Sequence, residues 1–203
     1  MTHSTHKVGQ LSLITPERAI ELVQSTEGVR LIAIDGFPCA GKSTLADRLI
    51  AATGAECIYI DDFARPQREW PLPLQPAYPF PFVRHDEFLR CLSDLVAKGF
   101  CSYRPFDWTT LEIAPEEKTV DLRKPVIVEG VSTLEERIAG LYHLRFFVES
   151  DESSIVATAI QRGDGQWAQE WQDYFLPSTH LYMQTDPRAR ADHVVAGRGA
   201  PLS

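Results

Sequence analysis

Gly36-Phe37-Pro38-Cys39-Ala40-Gly41-Lys42-Ser43 is a full match to the pattern GxxxxGK[ST], and no other feature constrains the chain as much. Its chemistry demands a particular setting. Glycines let the backbone wrap closely around an anion, the loop N–H groups converge on one point, and the helix that follows adds the positive end of its dipole. A strand must therefore lead in and a helix must lead out. Both are legible. RLIAID (30–35) is a short apolar run with glycine on either side, which reads as a buried strand, and residues 42–53 place Leu45, Leu49 and Ile50 on one helical face before Gly54. In such a loop Lys42 reaches the β- and γ-phosphates of a nucleoside triphosphate, Ser43 ligates Mg²⁺, and Thr44 offers a hydroxyl to the α-phosphate. Pro38 has no N–H, so the donors come from the later part of the loop.

The rest of the chain repeats the alternation of strand and helix. Thr15-Pro16-Glu17 signals a helix start, and the helix carries Ile20 and Val23 inward as far as about Thr26. ECIYI (56–60), PVIVEG (125–130), the apolar run beginning at Leu144 and ADHVV (191–195) read as buried strands. Residues 85–98 read as a helix with Phe88, Leu92, Leu95 and Val96 on one face, followed by extended chain over 100–108. A short helix is expected after Ser132. Further helices are expected over 151–162 and 166–185, broken at Gly163 and Gly165 and kinked near Pro177. This order predicts an α/β fold: a central parallel sheet of about five strands with helices on both faces, in a single domain spanning residues 1–203. Residues 1–14 read as a flexible tail. Residues 64–83 hold Pro66, Pro71, Pro73, Pro76, Pro79 and Pro81 among four aromatic residues, which excludes regular helix and central strand and predicts a long flap. Trp167, Trp171, Tyr174 and Phe175 recur at helical spacing, a stripe that reads as packing rather than as a stacking platform.

A loop that holds a triphosphate transfers nothing without a carboxylate to organise metal and another group to activate an acceptor. Asp61-Asp62 ends the second predicted strand and Glu129 ends VIVEG. In an open α/β sheet, ligands gather outside the carboxyl ends of the strands, where this loop also lies. Successive strand residues face opposite ways, so only one of the two aspartates is expected to face the γ-phosphate.

Composition removes other classes. A formal net charge of −8 argues against nucleic-acid and anionic-membrane partners. The chain contains no Asn, which excludes N-glycosylation, the Asn-dependent guanine motif and the catalytic-loop Asn of protein kinases. Cys39, Cys57, Cys91 and Cys101 stand singly without zinc spacing, as expected of free thiols in a reducing compartment. His3 and His6 read as part of a polar N-terminus. His85, His143 and His180 share no metal spacing and read as surface or capping residues. No signal-peptide pattern and no apolar run of membrane-spanning length occurs, so a cytoplasmic location is expected.

GFPCAGKS after a strand, then IDDF, RPFDWTT, VIVEGVSTL and RARADHVV together resemble the uridine kinase-like branch of the phosphoribulokinase/uridine kinase family, over most of the chain. The resemblance implies transfer of the γ-phosphate of ATP, with Mg²⁺, to a hydroxyl of a small molecule. Under it, Asp61 matches the general base and Asp62 becomes second to it or faces the acceptor. Glu129 matches the strand-end Glu near Mg²⁺. Arg162, in AIQRGDG, resembles an arginine of a short lid at about 158–168, and Phe106-Asp107-Trp108 resembles the segment near the nucleoside site. Homo-oligomers are common among similar kinases.

The departures concern the acceptor. Ala64 stands where nucleoside kinases of this family carry Tyr, the stretch 66–82 offers Glu69 as its one acid, and Thr158 and Ala159 leave Arg162 nearly alone in the lid. A nucleoside-like acceptor follows from the resemblance. A sugar or vitamin-precursor alcohol, or a nucleotide-sensing module without transfer, remain as alternatives.

Overall fold

The computed structural model describes residues 12–151, 158, 167–198 and 200. In chain order its elements are β1 (Leu13–Ile14), α1 (Pro16–Ser25), β2 (Leu31–Gly36), α2 (Lys42–Thr53), β3 (Glu56–Tyr59), α3 (His85–Lys98), β4 (Phe100–Tyr103), β5 (Phe106–Asp107), β6 (Glu112–Ile113), β7 (Lys118–Asp121), β8 (Val126–Glu129), α4 (Glu136–Ala139), β9 (Leu144–Glu149), α5 (Ala168–Glu170), α6 (Leu176–Met183) and β10 (His193–Ala196).

Six strands form one parallel sheet in the order β1-β10-β9-β2-β8-β3. β2 and β8 are buried at every position because both faces of the sheet are covered. Alternation along each strand divides the side chains between two cores. Leu31, Ala33, Val126 and Val128 join Phe63, Phe88 and Leu92 on one face, whereas Ile32, Ile34 and Ile127 join Ala19, Leu45 and Leu49 on the other. Helix ends follow local chemistry: the Thr15 hydroxyl accepts from the Arg18 N–H at 3.2 Å, and Gly54 and Gly99 close α2 and α3 in the left-handed region.

The sheet has one strand more than expected. Leu13 and Ile14, assigned from sequence to a free tail, pair in parallel with Val194 and Val195 and cover the edge of β10. Two antiparallel ladders, β4 with β7 and β5 with β6, were also hidden, because their partner strands are short and half-polar. The proline-rich segment holds a single 3-10 turn at Gln67–Glu69 and one bridge between Ala64 and Val83. Its root is tied down: the Arg84 guanidinium donates to the carbonyls of Asp62, Ala64 and Arg104 at 2.7, 3.2 and 2.8 Å. In place of the kink expected near Pro177, a π turn, Trp171–Phe175, stands between α5 and α6. Among the described residues no helix is long and apolar enough to cross a membrane.

β2 lies between β9 and β8, and the chain leaves it through α2 to reach β3, passing over the position that β8 later fills. Strand order reverses at this point, and there the loop 36–43 emerges.

Candidate active site

The loop is anchored by a residue that the sequence pattern hides. Asp35 is fully buried, and its carboxylate accepts from the N–H groups of Gly36 (2.6 Å), Leu134 (2.7 Å) and Ser132 (3.3 Å) and from the Tyr182 hydroxyl. Burial raises its pKa, and these hydrogen bonds oppose the rise. Gly36 follows with φ +144°, and a Cβ there would lie 2.4 Å from the Val148 carbonyl oxygen, so only glycine lets the chain pass. Gly41, at φ +105°, then turns the chain into α2. The Ala40 carbonyl takes the Arg198 N–H at 3.0 Å and the Ser150 hydroxyl at 2.8 Å, which ties the loop to the ends of β9 and β10. Lys42 is buried and its ammonium donates to the Phe37 carbonyl at 2.9 Å, across the mouth of the loop. The Phe37 ring meets His180 edge to face, with centroids 5.2 Å apart.

Two of the expected carboxylates meet the loop. Glu129, 5% exposed at the end of β8, accepts from the Ser43 hydroxyl at 3.4 Å. Burial pushes its pKa up to about 7; Lys42 pulls it down and Asp61 adds to the rise. Asp61 is exposed to the same cleft. It lies in a 3-10 turn, Ile60–Phe63, rather than in the strand expected through residue 60, and that turn sends the two aspartates apart. Asp62 is absent from the cleft wall: its carboxylate accepts from the Tyr103 hydroxyl at 2.7 Å and from Lys118 at 3.0 Å, bracing β3 against the β4–β7 ladder. Among the described residues no group of three His, Cys, Asp or Glu side chains forms a cation cage. Mg²⁺ beside a nucleotide needs only one or two protein oxygens, because phosphate and water fill the rest of its shell. Ser43 with Glu129 meets that requirement.

The cleft over the loop has a volume of about 380 Å³, with Pro38, Cys39, Lys42, Ser43, Asp61 and Glu129 at one end. Ala64, Phe82, Trp108, Trp171 and Phe175 form its other end, and the same five residues line a second chamber of about 430 Å³. Phe106 lines this chamber and Trp108 borders both. Asp107, by contrast, accepts from the Thr109 N–H at 2.8 Å and shapes the β5–β6 turn; that backbone hydrogen bond lowers its pKa. Of the stripe read as packing, Trp167 and Phe175 pack on Trp70, but Trp167, Trp171 and Phe175 are only half-buried and also line the chamber, whereas Tyr174 does not line it. Helical spacing reports that side chains share a face, and says nothing of whether that face meets core or cavity. Gly41 and Thr44 lie on the opposite flank of the loop, in a separate pocket of about 340 Å³ with Arg48, Gly197 and Arg198. Arg162 and most of the expected lid lie outside the described residues, as do His3 and His6.

Of the three histidines read as surface or capping residues, His143 caps, accepting at Nδ1 from the Leu31 N–H at 3.2 Å. His85 does not. It is buried, with Nε2 2.8 Å from Glu135, which also accepts from Tyr78 at 2.7 Å and Arg137 at 2.8 Å. Burial alone would raise the Glu135 pKa, but the hydrogen bonds from His85, Tyr78 and Arg137 outweigh it and bring it down to about 2.

The sequence matches no family model and no curated protein sequence. Solved structures do share the fold. One is a possible uridine kinase from Bacillus stearothermophilus, with a TM-score of 0.67 and 17% identity over 89% of this chain and 96% of that one. Another is described as a "putative fructose transport system kinase", from Silicibacter sp. TM1040, with a TM-score of 0.62 and 22% identity over 93% of this chain and all of that one. The six-stranded parallel sheet flanked by helices, with the phosphate loop at its switch point, is the α/β fold of P-loop NTPases.

Proposed function

We propose that this protein is an ATP-dependent small-molecule kinase that transfers the γ-phosphate to a hydroxyl group. The observation that carries this reading is the convergence of Lys42, Ser43, Asp61 and Glu129 on one cleft at the phosphate loop. The fold it shares with the two kinase-described proteins supports it.

The pocket at Gly41 and Thr44 takes the nucleoside end of ATP, and the loop N–H groups take the phosphates. The γ-phosphate then points into the cleft. Lys42 exchanges its Phe37 carbonyl for phosphate oxygens and neutralises their charge. Ser43 and Glu129 would hold Mg²⁺, which would supply neutralisation of the phosphate charge. Asp61, the carboxylate open to the cleft, accepts the proton of the acceptor hydroxyl as its oxygen attacks phosphorus. No protein nucleophile is required, because in-line transfer depends on positioning and electrostatics. Arg162 adds a further positive charge from the lid, a role that rests on the family resemblance.

ADP release from MgATP over a panel of hydroxyl compounds tests the reading. Asp61→Ala should lower the acceptor-dependent rate by about 10²- to 10⁴-fold and leave MgATP affinity nearly unchanged. Lys42→Ala should abolish both transfer and tight nucleotide binding. An acceptor-dependent rate near wild type in Asp61→Ala removes the base assignment.

A further inference from the structure

We propose that the acceptor is a small hydroxyl compound carrying an aromatic ring and no vicinal diol, its ring seated in the second chamber and its hydroxyl directed at Asp61. This deepens the kinase reading and rests on it.

All four tryptophans of the chain, Trp70, Trp108, Trp167 and Trp171, line this one chamber, together with Phe82 and Phe175. They come from three separate parts of the chain: the proline-rich segment, the β5–β6 turn and the α5–α6 region. Three of the six ring contacts among them are steep. Phe82 and Phe175 are 4.7 Å apart at 68°, Trp171 and Phe175 5.3 Å at 86°, and Trp70 and Phe175 5.9 Å at 83°. Such edge-to-face walls suit a further flat ring. Trp108 remains 57% exposed although it borders both chambers, which leaves a large aromatic face to be covered by whatever enters.

The polar inventory argues against a sugar or a ribonucleoside. Each buried hydroxyl of a diol needs partners, and one left unsatisfied weakens binding. Besides Arg65, the chamber's polar side chains are Gln67, Arg68 and Glu112; all three are exposed, and Glu112 is ion-paired with Arg68. Arg65 lines the wall, but its Nε is enclosed by protein and its guanidinium donates to the Val83 carbonyl at 3.4 Å. Ala64, Phe82, Trp108, Trp171 and Phe175 line both this chamber and the cleft that holds Asp61, so the two cavities adjoin. In the transfer, the acceptor oxygen forms the new bond to phosphorus and its proton passes to Asp61. ADP departs with the electron pair of the broken bond.

The four tryptophans make binding directly visible by their fluorescence. Phenylethanol, hydroxybenzyl alcohol and naphthylmethanol would be titrated against the whole protein, with uridine and fructose alongside, and ADP release followed for each. Saturable fluorescence changes with the aromatic compounds are expected, together with ADP release at least tenfold above background. Trp108→Ala should weaken their binding about tenfold while leaving MgATP affinity within twofold; Trp171→Ala should behave alike. Saturable aromatic binding without ADP release upholds the ligand class and overturns the kinase reading. Lys42-dependent turnover of uridine or fructose, unaffected by Trp108→Ala, overturns the ligand class and upholds the kinase reading. No fluorescence change with any of the three aromatic compounds also overturns the ligand class.

Discussion

Ser43 and Glu129 are 86 residues apart in the chain, and the Ser43 hydroxyl stands 3.4 Å from the Glu129 carboxylate. The first lies in the first turn of α2 and the second ends β8, so the contact exists only because β8 inserts between β2 and β3. A nearly buried carboxylate is thereby held beside a hydroxyl and within the influence of a buried lysine, an arrangement that costs folding energy and suits a divalent cation.

Glu129→Gln should expose that cost as a pH dependence. The folded pKa of about 7 lies above the ordinary 4.5, so between these values the folded protein holds a proton that the unfolded chain has lost. The stabilisation this gives is complete below pH 4.5 and disappears as pH rises through 7. Glutamine carries no such charge. Without Mg²⁺, the variant should therefore gain on wild type between pH 5 and pH 8, by up to about 3 kcal/mol at 1.36 kcal/mol per pKa unit. Thermal unfolding at both pH values measures the gain. An unchanged difference would mean that Lys42 already compensates the ionised carboxylate. Added MgATP should raise the wild-type Tm more than that of the variant.

Tyr182→Phe removes one donor from the buried Asp35 carboxylate while preserving the ring that packs on Tyr78 with centroids 4.9 Å apart. Leaving this buried acceptor without one of its donors should cost about 1–3 kcal/mol. For a chain of this size that is a fall in Tm of roughly 2–12 °C. Nucleotide affinity should fall as well, because Asp35 also holds the Gly36 N–H at the entrance of the loop. A variant with wild-type stability and affinity would show that the three backbone donors suffice.

Cys39 should be the thiol that reacts in the native protein. It lies half-buried in the cleft wall, whereas Cys57, Cys91 and Cys101 are buried. Treatment with iodoacetamide should give one adduct at Cys39 by mass spectrometry and abolish nucleotide binding, and MgATP should slow the labelling. Full nucleotide affinity after stoichiometric modification would show that the loop tolerates bulk at that position.

Much of this was legible without coordinates because it depends on local physics. The run from Leu31 to Gly36, the loop and the face of Leu45 and Leu49 are specified by burial on both sides of a strand, by glycine conformation and by helical period. The same signals locate Glu129 and the aspartate pair at strand ends. Pairing and convergence are different, because they depend on which distant segments become neighbours. Leu13 and Ile14 are too few for any periodicity, and they become a strand only because Val194 and Val195 present an open edge. Asp35 sits inside an apolar run, and its role required the N–H groups of Ser132 and Leu134 and the hydroxyl of Tyr182 to surround it. Asp61 and Asp62 are adjacent in sequence, yet a 3-10 turn opens one to the cleft and gives the other to Tyr103 and Lys118. Trp171 and Phe175 carry a helical spacing equally suited to a core, and tertiary packing left their face on a cavity. The sequence by itself determined the phosphate loop and the parallel strand–helix frame; the tertiary structure alone decided which side chains share the cleft, since contacts between distant segments leave no periodic trace in the chain.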